Sequence, residues 1–144
     1  MYKFLLTFHS VLRWIVVLLA VLALINAIRG WRTNADWRDT DRKTGLFYTI
    51  SLDTQFLLGI LLFVVFSPIT TAAFSNIGAA MQNAVSRFFL VEHTFYMILA
   101  IIFGHIGSAF TKKDIPVKDK FKGMSIYYGL SVLAIILGMP WDRL

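Results

Sequence analysis

The first long apolar run of the chain extends from Phe4 to Ile28 and reads FLLTFHSVLRWIVVLLAVLALINAI, 25 residues with a single charge at Arg13. An α-helix rises about 1.5 Å per residue, so roughly 20 residues cross a hydrocarbon core about 30 Å thick. This run is therefore long enough to span a membrane as one helix.

Three more apolar runs follow, each with one charge or none. They are Leu46–Phe66, Phe88–Phe110 and Met124–Met139. Only 15% of the 144 residues are charged, whereas a soluble domain carries about 25%. The sequence therefore predicts an all-α protein, a four-helix transmembrane bundle. We expect one domain over residues 1–144, with helices at about 4–28, 46–66, 88–110 and 122–140.

Positive charge is concentrated in two of the three connections between these runs. The first and third connections hold ten basic residues: Arg29, Arg32, Arg38, Arg42, Lys43, Lys112, Lys113, Lys118, Lys120 and Lys122. The second connection, residues 67–86, has no charge. Because cytoplasmic loops carry an excess of Lys and Arg, we expect both termini and the second connection on the outer side. The net charge of +6 then indicates contact with anionic lipid of the bilayer rather than with nucleic acid.

The second connection is polar but uncharged. Pro68 is expected to end the second helix, since proline disrupts a helix interior. Apolar residues at Ile77, Ala80, Met81 and Ala84 then follow a helical period. We expect a short amphipathic helix within residues 76–86, lying on the outer membrane surface.

Two histidines lie at matching depths on the first and third predicted helices. His9 is five residues in from Phe4, and His93 is five residues in from Phe88, so each lies roughly 8 Å below the outer edge. The first and third helices of an antiparallel bundle run the same way, and two imidazoles facing across its core can ligate one haem iron. The alternative is two unrelated polar residues near the membrane surface.

Charged side chains flank the two histidines. Arg13 lies one turn below His9, and Arg87 marks the outer start of the third helix. Either arginine could neutralise the propionates of a haem. The alternative for Arg13 is a buried ion pair with Glu92.

A second polar set is expected in the inner half of the membrane. Asp53 and His105 lie at similar inner depth, and Gln55 follows two residues after Asp53. A carboxylate that accepts the imidazole N–H would lower the cost of burying both groups. The pair is either a structural hydrogen bond between helices or part of a proton path. With three histidines in the chain, one bis-histidine haem is the maximum.

Two short motifs of the chain resemble those of a known kind of protein. The pattern HSxxRW at residues 9–14, together with VEH at residues 91–93, resembles small four-helix membrane proteins of bacteria described as cytochrome-b-like. The resemblance covers nearly the whole chain, including residues 78–81 and 140–141. It implies a multi-pass protein of the bacterial inner membrane with one haem b, ligated by the histidines of the two motifs.

Two functions from different classes follow. The first is an electron-transfer protein near the outer face, with no substrate chemistry of its own. It would be a small subunit of, or partner to, a respiratory or photosynthetic complex, passing electrons between quinol and a periplasmic acceptor. The second is a cofactor-free accessory or structural subunit of a larger membrane complex. Gly104 and Ser108 form a small-xxx-small pair that would favour a helix partner. No cysteine is present, which excludes a c-type haem and a disulfide.

Overall fold

The computed structural model describes all 144 residues and is entirely helical. Its four long helices are Tyr2–Thr33, Asp39–Phe66, Ala84–Lys112 and Val117–Gly138. Each is long and apolar enough to cross a membrane. The prediction of four such helices in an all-α protein is confirmed.

The helix ends differ from the limits of the apolar runs. The first, second and fourth helices continue for several residues into the charged connections, because a charged side chain opposes burial in lipid but not helix formation. The fourth helix ends at Gly138, two residues before the expected end. Met139 is already extended, with φ −77° and ψ 135°. It precedes Pro140, and a residue before proline avoids the α conformation.

The four long helices form a bundle in which each contacts its neighbours in chain order, and the first also contacts the fourth. The first and third helices are therefore diagonal to each other. We call the end that holds residue 1, residue 144 and the second connection the terminal end. The opposite end holds the connections 34–38 and 113–116 and is called the basic end.

The fourth long helix is the most buried of the four. It packs along alanines of the first helix, Ala20, Ala23 and Ala27, which are essentially inaccessible. Small side chains let the two helix backbones approach closely, as is usual in membrane bundles. Tyr128 from the fourth helix and Tyr48 from the second meet edge to face, with ring centroids 5.7 Å apart.

The second connection folds as two short helices rather than one. They are Pro68–Ser75 and Ile77–Gln82, and the segment from Ala84 onward belongs to the third long helix. The helical period of residues 76–86 is interrupted at Asn83, which adopts an extended conformation and caps the next helix. Pro68 does follow the end of the second long helix, and it occupies the first turn of a new one, where proline costs no hydrogen bond.

Both long helices that meet this connection contain a π-helical turn. One turn is Leu62–Phe66 and the other is Phe88–Glu92. Each π turn is accompanied by a threonine hydroxyl that donates to one of its carbonyls. Thr70 donates to the Phe63 carbonyl at 2.7 Å, and Thr94 donates to the Phe89 carbonyl at 2.9 Å. Such turns are often found at functional sites.

Candidate functional site at the terminal end

His9 and His93 lie in the terminal half of the bundle, on the two diagonal helices. His9 is seven residues into the first helix, and His93 directly follows the π turn Phe88–Glu92. Both side chains are partly buried. The structure thus places in the same half of the bundle the two imidazoles that the sequence set at equal depth.

The His93 ring is held by one hydrogen bond. Its Nδ1 lies 2.7 Å from the backbone carbonyl oxygen of Gly138 on the fourth helix. A carbonyl only accepts, so Nδ1 carries the hydrogen and Nε2 keeps its lone pair. This is the arrangement that orients a histidine for metal binding through Nε2. The rings of Phe88 and Phe89 flank the imidazole, with centroids 5.9 and 5.8 Å away.

Gly138 reaches His93 because the third and fourth helices approach closely there. A Cβ on Gly138 would lie 2.6 Å from Met97 Cε and 2.7 Å from Tyr96 Cβ. A side chain at this position would push the helices apart. Because Gly138 has no side chain, the two helices approach closely enough for its carbonyl to reach the His93 ring.

His9 is positioned by the second helix. The Gln55 Nε2 donates to the His9 backbone carbonyl at 3.0 Å. The His9 ring faces Gly59, where a Cβ would lie 3.4 Å from its Cε1 atom. The ring therefore occupies the space beside a residue with no side chain, and its Nδ1 is buried without a hydrogen-bond partner.

The sequence groups Gln55 with Asp53 and His105 in the inner half, whereas its side chain bonds the backbone of His9. The second helix starts at Asp39 and not at Leu46. Two residues along a helix are also about 200° apart around its axis. The amide of Gln55 is therefore directed to the first helix while Asp53 is directed to the third.

Four of the five buried side-chain atoms without a hydrogen-bond partner lie in the terminal half of the molecule. They are His9 Nδ1, Arg13 Nε, Gln55 Oε1 and Glu92 Oε2. The fifth is the Tyr128 hydroxyl, in the basic half. More than nine in ten buried polar groups find a partner in protein or ordered water, so each exception calls for an explanation. Water, an ion or a ligand would satisfy such groups, which makes the surroundings of the two histidines the candidate site.

The two arginines differ in their partners. Arg87 forms an ion pair with Glu92, with Nε 3.2 Å from Oε1. Arg13 has no carboxylate partner, and its guanidinium lies over the Trp14 ring, 5.3 Å from the centroid. The alternative of an Arg13–Glu92 pair is therefore wrong. The π turn is the reason, because its wider winding brings residues five apart onto one face.

The predicted pair of Asp53 and His105 is confirmed. His105 Nε2 lies 2.7 Å from Asp53 Oδ1, linking the second and third helices. The pair is not buried within the bundle. The side chain of His105 is 49% exposed and that of Asp53 is 46% exposed.

Two other polar clusters are not evident from the sequence. Asp41 is fully buried at the basic end, where it accepts hydrogen bonds from Asn26 Nδ2 at 2.9 Å and from Arg38 N at 2.7 Å. In the core, the Ser131 hydroxyl meets the Tyr48 hydroxyl at 2.5 Å and donates to the Ala100 carbonyl at 2.6 Å. Both clusters are fully bonded, which indicates structural roles.

No group of three or more His, Asp or Glu side chains converges as a metal site would require. Two imidazoles alone fit a metal that brings its own remaining ligands, as the iron of a haem does.

Comparison with known proteins gives no further lead. Neither protein-family models, nor curated proteins, nor solved structures match this chain.

Proposed function

We propose that this protein crosses the bacterial inner membrane four times, with its terminal end facing the periplasm. The two connections at the basic end, with their flanking helix ends, hold ten Lys and Arg residues, and the second connection has none. That asymmetry supports a cytoplasmic basic end by the positive-inside rule. Because the chain has no cysteine, a Thr40→Cys variant should resist a membrane-impermeant thiol reagent in intact cells, and Ser75→Cys should react. The reverse labelling would invert the orientation.

We further propose that the terminal end holds one b-type haem, ligated by His9 and His93. The observation that carries this proposal is the hydrogen bond from His93 Nδ1 to the Gly138 carbonyl, which leaves Nε2 free to bind a metal. His9 stands on the diagonal helix with its own Nδ1 unpartnered. When bound with two histidines, a haem supplies reversible one-electron transfer and has no open position for a substrate.

Arg13 is the better candidate to neutralise a haem propionate. It makes no ion pair in the structure, and its Nε is buried without a partner. Arg87 is already paired with Glu92. Its role in this proposal is to hold that carboxylate at the surface of the site, away from the histidines.

An electron carrier near the periplasmic face accounts for these features best. It would act as a small subunit of, or partner to, a respiratory or photosynthetic complex, with a quinol or a periplasmic protein as its redox partner. The chain's own residues orient two imidazoles, supply a cation and exclude water with Phe88 and Phe89.

Visible spectroscopy tests the haem directly. The purified protein should give a reduced-minus-oxidised b-type spectrum, and His9→Ala and His93→Ala should each abolish it. His105→Ala is the matched control and should retain the signal, because the His105 ring bonds Asp53 and no residue of the terminal site. A wild-type protein without the signal when expressed with ample haem, or a His105 variant that alone loses it, would contradict the proposal.

A cofactor-free accessory subunit is the second candidate. The Asp53–His105 pair favours it, since a half-exposed polar pair on an apolar surface indicates a protein contact. The two candidates differ in the spectrum, because an accessory subunit would show no haem absorption.

A further inference from the structure

The outer surface formed by the second and third long helices is mostly apolar and contains one ionisable pair near its middle. Asp53 and His105 lie there side by side, both nearly half exposed. Large apolar side chains surround them, among them Ile50, Leu57 and Ile102, which are 53%, 64% and 46% exposed. In a bilayer this surface would face lipid.

The hydrogen-bonding capacity of Asp53 and His105 is only partly used within the chain. One hydrogen bond joins His105 Nε2 to Asp53 Oδ1. His105 Nδ1 and Asp53 Oδ2 have no partner within the chain, and both are still able to form hydrogen bonds. Polar groups exposed to hydrocarbon are costly and usually face a protein partner. The free atoms therefore require a polar partner at the same depth in the membrane.

We propose that the partner is a second copy of this chain, docked on the same surface about a two-fold axis normal to the membrane. A closed dimer of two copies with the same orientation in a membrane has such an axis. Asp53 and His105 come from adjacent helices and lie next to each other. A rotation by 180° about the axis therefore reverses their lateral order on the second copy. Each Asp53 then faces the His105 of the second copy.

The charges complement each other in this arrangement. Each His105 Nδ1 then lies opposite the Asp53 Oδ2 of the second copy, and one proton between these two atoms forms the hydrogen bond. Two reciprocal hydrogen bonds satisfy all four free atoms, and an isologous interface repeats every contact. Around them the exposed isoleucines and leucines of the two copies pack against each other. The inference rests on the helices lying in a bilayer and not on the presence of haem.

Disulfide cross-linking tests the interface, because the chain has no native cysteine. Thr54→Cys and Ile102→Cys lie on the proposed surface, and both positions are exposed. Oxidised in native membranes, at least one of them should give a covalent dimer. Leu18→Cys and Leu133→Cys, exposed at 58% and 50% on the first and fourth helices, are the controls and should remain monomeric.

Variants of the pair show whether it holds the dimer. Asp53→Leu and His105→Leu should each lower the association constant in detergent roughly tenfold, as expected for losing two interhelical hydrogen bonds. The double exchange Asp53→His with His105→Asp keeps the complementarity and should restore association, which separates loss of contact from loss of folding.

Several outcomes would overturn the inference. These are equal cross-linking on all faces, cross-linking at neither Thr54 nor Ile102, cross-linking of these sites to a different protein only, and single variants that associate as tightly as the wild type. A loss of haem would leave the cross-links unchanged, so this proposal and the haem proposal fail independently.

Discussion

The two halves of the bundle are built differently. In the basic half, aromatic rings pack directly on glycines, as Tyr128 does on Gly45 and Gly107, and buried polar groups such as Asp41 are multiply bonded. In the terminal half, His9, Arg13, Gln55 and Glu92 each leave a buried polar atom without a partner. One half uses its polar groups to hold the helices together, whereas the other leaves them available.

This difference indicates that the basic half and the terminal half have different roles. The close-packed basic half, in which the Tyr128 hydroxyl alone is buried without a partner, supplies stability. Incompletely bonded sites persist only when the surrounding structure holds them. The histidines of the terminal half are positioned by neighbours such as Gly138 and Gln55, while His9 Nδ1 and His93 Nε2 are left without a hydrogen bond.

The largest effect on stability is expected at Asp41. Asp41→Asn removes a buried charge that accepts two hydrogen bonds and has Arg29 and Arg38 within 4 Å. We expect the free energy of unfolding to fall by about 3 kcal/mol, since bonds to a charged group contribute roughly 1.5 to 3 kcal/mol each.

The matched control is Asp39→Asn, two residues earlier. Asp39 pairs with Arg42 and Lys43 at the exposed surface, so no measurable change is expected. Unfolding in mixed micelles, followed by circular dichroism, compares the two variants. Equal effects at both positions would remove the claim that the basic half is held by its buried carboxylate.

An intermediate effect is expected from glycine packing. A Cβ on Gly107 would lie 2.7 Å from ring atoms of the fully buried Tyr128. Gly107→Ala should therefore destabilise the protein by about 1 to 3 kcal/mol, the usual range for overpacking.

Gly129→Ala is the control for this substitution, because its Cβ would meet only Leu24 Cδ1 at 3.8 Å. Alanine favours a helix over glycine by roughly 0.5 to 1 kcal/mol, so this variant should be neutral or more stable. Thermal melting in detergent should separate the two variants. A Gly107 variant with the same melting temperature as the wild type would show that the core is less tightly packed than the structure indicates.

The smallest effect on stability belongs to the terminal half. Gln55→Leu loses the hydrogen bond to the His9 carbonyl but also removes the unpartnered Oε1. Interhelical hydrogen bonds in membranes average about 0.6 kcal/mol, so the melting temperature should hardly change. If the site binds haem, the variant should instead weaken haem retention. A large loss of stability without any effect on haem would erase the distinction between the halves.

The sequence predicted the features that depend on length and depth. Apolar runs identified the four long helices, and counting from their ends paired Asp53 with His105 correctly. Both inferences need only the rise of a helix per residue. The rotation of a helix about its axis is not readable in this way, so the contact of Gln55 with His9 and the buried state of Asp41 were missed.

The partner of Glu92 shows a second limit. In a regular α-helix, residues five apart lie about 140° apart around the axis, so no sequence pattern favours a pair of Arg87 with Glu92. The π turn Phe88–Glu92 changes that spacing and brings them within 3.2 Å. Apolar periodicity contains no signal for a single wide turn. The ends of the helices and the break at Asn83 likewise depend on local backbone conformation.

Electron paramagnetic resonance of the oxidised, purified protein tests the central claim most directly. Two imidazoles that fill both axial positions of a haem should give a low-spin ferric signal, with no high-spin component. His93→Ala should convert any residual haem to a high-spin signal or lose it, because the ring held by the Gly138 carbonyl is gone. A wild-type protein that shows only high-spin iron, or none after loading with haem, would contradict the assignment of His9 and His93 as a ligand pair.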